Sequence, residues 1–173
     1  MYMLNQALYY APASFPLDLV NHLLPLCLAS LTFKNMGAEA MIEALILARD
    51  LADMALETHP AAKIGTVAST LRSSFETLGE TLVRECIGGT SCTFTGDVMS
   101  KIAPLLNRVI TLLGPEAFLK WSGNALTAHI KDQHVGNKIM QQLQAYVFRD
   151  ISGFAGLGHA HVLTVGYDTQ DIV

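Results

Sequence analysis

Between Gly37 and the His59-Pro60 pair, the strongly polar residues Glu39, Glu43, Asp50, Asp53 and Glu57 fall at steps of four, seven, three and four. On a helix of about 3.6 residues per turn these steps draw a single narrow stripe. The rest of the stretch, including Met41, Ile42, Leu45, Ile46, Leu47, Leu51 and Met54, is apolar. A helix over residues 38–58 with so thin a wet edge has to be packed on three sides, so the chain must surround it with other elements.

The periodicity on either side supplies helices for that purpose. Residues 16–33 read as the first: Pro16 suits an opening turn that needs no amide hydrogen, Asp18 complements the positive end of the helix dipole, and Pro25 predicts a kink. This helix is apolar on nearly every side, which makes it central or covered by a partner, and Leu19, Leu23 and Leu26 are its candidate interface residues. Over residues 61–86, Ile64, Ala68, Leu71, Phe75, Leu78 and Leu82 recur at alternating steps of four and three. That is the seam of knobs-into-holes packing, and Ser69, Arg72, Ser73, Glu76 and Thr77 form its wet side.

Gly88-Gly89 predicts the end of that helix, Thr90 to Thr95 has strand propensity, and Asp97 is placed to cap the next helix. Residues 98–113 then point Ile102, Leu105, Leu106, Val109, Ile110 and Leu113 inward. Gly114-Pro115-Glu116 stops one helix and starts another. The last helical region, residues 115–151, turns Phe118, Leu119, Leu126 and Ile130 inward, then Ile139, Leu143, Tyr146 and Val147, with a bend or break expected at Gly136. Beyond Ser152 the chain is glycine-rich, and from His161 to Tyr167 it alternates as a half-buried strand does, with Leu163, Val165 and Tyr167 on one side. Such a strand needs a hydrogen-bonding neighbour, which residues 90–95, residues 2–10 or another copy of the chain could provide.

The expected fold is therefore mainly α: a single-domain bundle of five to six helices over residues 1–173, with one to three short strands at 90–95, 161–167 and 2–10. Residues 1–13 form an N-terminal arm, and residues 152–173 a glycine-rich segment and strand-like tail. No tandem repeat or low-complexity block interrupts this pattern.

Composition then bears on function. Of the 173 residues, 51% are apolar and 15% charged, against about a quarter charged in ordinary soluble domains. That excess predicts outer faces covered by another subunit, a protein partner or a lipid. The net charge of −4 and the lack of any Lys/Arg run argue against nucleic-acid binding. No charged leader and no unbroken apolar run of about 20 residues is present, so an intracellular protein without a membrane span is expected. Cys27, Cys86 and Cys92, an odd number at no framework spacing, fit a reducing compartment, with Cys27 filling the core.

Candidate chemistry is sparse. His159 and His161 would share one side of a strand and are weak metal candidates, because a site needs at least a third ligand and second-shell support. His129 and His134 are five apart on a helix, so their rings diverge, and no HExxH, CxxC or carboxylate-histidine motif exists. Cys92, beside strand-forming residues, is the candidate thiol nucleophile; it would require a histidine base and a lowered pKa. Phosphate-loop, dinucleotide and nucleophile-elbow spacings are missing, and Glu39 and Glu43 lack the ExxH partners of di-iron bundles and read as a solvated edge. Phe118, Trp121 and Tyr146 could line a pocket for a flat or lipidic ligand between helices, and His22 or His59 could each be an axial haem ligand, although lone histidines beside apolar residues are usually structural. No cofactor is expected.

These observations favour a non-enzymatic helical interaction protein: a self-associating assembly or structural subunit, of the kind found among viral matrix-like proteins, or an adaptor or chaperone that holds a partner segment. Its contacts would be apolar helix faces and the terminal strand, with peripheral lipid contact left open. A small-molecule carrier is the alternative, and a thiol-dependent enzyme ranks third.

Overall fold

The computed structural model describes residues 3–4, 6–7, 17–32, 37–58, 65–92 and 96–153, with the side chains of 17, 65–66, 90–92 and 148–153 outside the description. The fold is mainly α. In order come α1 (Leu17–Thr32), α2 (Ala38–Ala55), α3 (Gly65–Cys92), α4 (Gly96–Leu113), α5 (Pro115–His129) and α6 (Gln133–Gly153). Residues 3–4 and 6–7 are helical as well, and Leu4 packs against the core. Among the described residues there is no strand. The segment 161–167 and the rest of the tail from 154 onward lie outside them.

α2 is the central helix its pattern requires. It packs on α1, α3 and α4, and buries Ala44, Leu45, Leu47, Ala48, Leu51, Ala52, Met54 and Ala55. Its polar stripe stays toward solvent and finds partners there: Arg49 donates to Asp50 at 2.7 Å, and Arg108 of α4 pairs with Asp53. The apolar faces of α2 are thus covered by this chain's own helices, which accounts for much of the compositional excess. Among the described residues only Met3, Leu19, Leu26 and Val135 are large hydrophobic side chains left exposed.

Each helix packs on the next one, and α1 on α3, α2 on α4 and α3 on α5 pack at one remove. α1, α3 and α5 form one row and α2 and α4 a second, and helices further apart share no extended packing among the described residues. α6 packs on α5, and joins the second row where the Tyr146 hydroxyl donates to Asn107 Oδ1 of α4 at 2.6 Å. Three contacts in succession show that α3 and α5 run the same way. Gly79 lies against Trp121, Asn124 donates to Glu80 at 3.2 Å, and Gly88 lies against His129. Among the described residues the bundle is therefore an open zigzag of antiparallel neighbours, the packing order of a helical stack, and its first and last helices share no extended packing.

Two local expectations need correction. Gly88-Gly89 does not end α3, which continues to Cys92, so residues 90–92 are the last helical turn and not strand; residues 93–95 lie outside the description. Gly88 lies in the packing of α3 on α5: a Cβ there would come within 2.6 Å of His129 Nε2, the end of an exposed side chain. The break in the last helical region falls at residues 130–132, not at Gly136, which sits inside α6. Asp132 causes it, because its Oδ1 accepts from the His134 amide at 2.8 Å and the Val135 amide at 3.3 Å, a side-chain cap that starts a new helix. α1 runs unbroken through Pro25 to Thr32.

Candidate interaction face

α1 has two unlike sides. Val20, Leu23, Leu24, Cys27, Leu28 and Leu31 enter the core. Asp18, Leu19, Asn21, His22, Pro25, Leu26, Ala29 and Thr32 face outward. Leu19 and Leu26 are seven residues apart and so two turns above one another, and they remain 40% and 42% exposed. Asp18 is the one carboxylate of the helix, and no Lys, Arg or Glu occurs between Leu17 and Thr32. Pro25 has no amide hydrogen, so the Asn21 carbonyl below it loses its intrahelical donor on this same outer side.

Of the three predicted α1 interface residues, Leu23 is misplaced. It is 1% exposed and lies in the core, because at about 100° per residue it falls on the arc of Val20, Leu24, Cys27 and Leu31. The face instead includes Pro25 and Ala29, which the recurrence of outward positions 18, 22, 25 and 29 at steps of four, three and four would have disclosed. Leu163, Val165 and Tyr167, like His159 and His161, lie outside the described residues.

The predicted pocket residues occupy packing positions. Phe118 is buried in the core, and Trp121 is half-buried, with its ring where a Cβ on Gly79 would come within 3.0 Å. Tyr146 ties α6 to α4 through Asn107. Two surface depressions lie elsewhere, and neither includes an aromatic side chain. One, of about 240 Å³, is bordered by Glu57, Arg72, Ser73 and Glu76 where the end of α2 meets α3. The other, of about 400 Å³, is bordered by Asn21, Thr70, Ser74 and Thr77 between α1 and α3.

Burial also decides the chemistry of two thiols. Cys27 and Cys86 are buried, and loss of hydration pushes each from its ordinary 9.0 up to about 12, so both stay protonated and unreactive at neutral pH. Cys92 ends α3, with its side chain outside the description. His22, His129 and His134 are exposed, and among the described residues no three His, Cys, Asp or Glu side chains gather as metal ligands. No described helix is long and apolar enough to cross a membrane.

Comparison with protein-family models, with curated proteins and with solved structures returned no match.

Proposed function

We propose that this chain is a non-enzymatic assembly subunit that works by self-association, with the outer face of α1 as its contact surface. The observation that carries this reading is the exposed Leu19/Leu26 pair, on a helix whose one charged side chain, Asp18, stands at its first turn. A helix at the edge of a fold normally carries a charged outer stripe, and α2 has one although it is far more enclosed. Leaving the stripe off α1 disfavours an isolated state and lowers the desolvation cost of docking.

Light scattering after size-exclusion, run over a hundredfold range of protein concentration, tests this reading. The expected result is a mass that rises above one chain with concentration, and its loss in Leu19→Glu/Leu26→Glu with the unfolding midpoint unchanged. A single-chain mass at every concentration overturns it.

A further inference from the structure

We propose that α6 is a hinged cover: it swings away as a unit about residues 130–132 while α1 to α5 stay folded, and in doing so bares an apolar strip along α5. This stands apart from the α1 face and does not depend on it. Every other helix packs on at least two neighbours, whereas α6 finds extended packing on α5 alone among the described residues. It also buries least. Val147 is the one described α6 side chain that is fully buried, and Ile139, Met140, Leu143 and Tyr146 are only partly so, against eight buried residues on α2. A helix held by so little apolar contact belongs to the low end of local stability.

The described hydrogen bonds at the hinge all close within one helix or the other. α5 ends on itself, with the Ile130 amide donating to the Leu126 carbonyl at 2.8 Å. α6 starts on itself, with the Asp132 carboxylate accepting from the His134 and Val135 amides. Rotation about 130–132 therefore leaves both helix ends satisfied. The outward side of α6, with Gln133, Asn137, Lys138, Gln141, Gln142 and Gln144 exposed, is already wet and loses nothing when the helix lifts.

What the cover hides follows from periodicity. Leu119, Gly123, Leu126 and Ile130 recur at steps of four, three and four, so they share one side of α5. Met140 of α6 lies over that side, because a Cβ on Gly123 would stand 3.9 Å from its Cε. That is ordinary contact. Where α3 meets α5, a Cβ on Gly79 would press to 3.0 Å from the Trp121 ring, so α6 rests on α5 less tightly at Gly123 than α3 does at Gly79. At the far end from the hinge, the Tyr146 hydroxyl on Asn107 of α4 fastens the cover to the second row. Water can replace that hydrogen bond, which makes it a latch that opens more readily than packed leucines.

Amide hydrogen exchange on the full chain, in urea below the unfolding transition, tests the cover. Residues 137–147 should exchange together, roughly a hundredfold or more faster than Leu45 to Leu51 of α2 and with a far weaker urea dependence. Tyr146→Phe should quicken them about fivefold and leave α2 unchanged. Exchange of α6 at the α2 rate and urea slope overturns the proposal, as does a smooth gradient along α6, which is fraying without a hinge. An equal effect of Tyr146→Phe on both helices overturns it too. Thiol labelling reads the strip itself. In a Cys92→Ser background, where Cys27 and Cys86 stay sealed, Leu126→Cys should react with an aromatic disulfide reagent at a rate that Tyr146→Phe raises by the same factor. Labelling indifferent to Tyr146→Phe overturns the baring of the strip, and if Leu126→Cys does not fold, the exchange rates decide alone.

Discussion

Glu57 is the described residue other than glycine that adopts a left-handed backbone, with φ at 59°. It does so to end α2. The Glu57 amide donates to the Met54 carbonyl at 3.0 Å and the Thr58 amide to the Asp53 carbonyl at 2.9 Å, which satisfies two acceptors the helix end would otherwise leave open. A side chain in that conformation costs roughly 1 kcal/mol, which glycine avoids. Glu57→Gly should therefore stabilise the protein by about 0.5–1 kcal/mol, seen as a higher urea midpoint with an unchanged slope. Two glycines of α3 predict opposite signs for one substitution. At Gly79 an added methyl would meet Leu113 Cδ1 at 2.8 Å and the Trp121 ring at 3.0 Å, wedged between α4 and α5, so Gly79→Ala should destabilise by about 1–2 kcal/mol despite better helix propensity. At Gly88 the obstacle is the end of the exposed His129 side chain, which can swing out. Gly88→Ala should then gain up to about 1 kcal/mol from propensity, with both variants read from the same melts.

At the scale of elements, the periodic helices were legible because their patterns are redundant. Each of α1 to α5 repeats its inward positions over several turns, and the seam predicted over 64–82 is realised in Leu71, Phe75 and Leu82, all fully buried, with Ile64 outside the described residues. What could not be read was which of two meanings a single residue carries. Gly88-Gly89 satisfies the rule for a helix end, yet α5 packs onto it, a fact set by residues some 40 positions away. The break is expected at Gly136, which only permits a bend, and it falls instead at Asp132, whose side chain caps the next helix. Asp132→Ala should consequently cost about 1 kcal/mol and fray the start of α6, visible as faster amide exchange at His134 and Val135. The candidate face was half legible. Apolarity singled out α1, but Leu23 and Leu26 look alike until the direction of the core is known. The tail residues proposed with them fall outside the described part of the chain.

At the scale of the whole molecule, the two buried thiols make stability sensitive to alkali. Cys27 and Cys86 ionise near 9.0 when unfolded and at about 12 when folded, because burial disfavours the thiolate. Below pH 9 both states hold the proton and nothing is lost; above it the unfolded chain releases protons that the native one keeps, so stability falls as pH rises toward 12. Each thiol contributes on the order of 1 kcal/mol per pH unit in that window. Urea unfolding at pH 8 and pH 10 should show a smaller loss for Cys27→Ala/Cys86→Ala than for the natural chain, and equal losses would refute the assignment. The same comparison cancels tyrosine and lysine, which titrate in both proteins. With two of its three thiols sealed, the native protein should take up a thiol reagent on one cysteine at most at neutral pH.

The zigzag order has a mechanical consequence. Among the described residues each rod leans on those near it in chain order, so most of the packing joins elements close in sequence. Such an object assembles from short-range encounters, which makes for rapid folding, and it comes apart from its margins inward. A protease nick in α6 should loosen Tyr146 from Asn107 and leave the α1–α4 half standing.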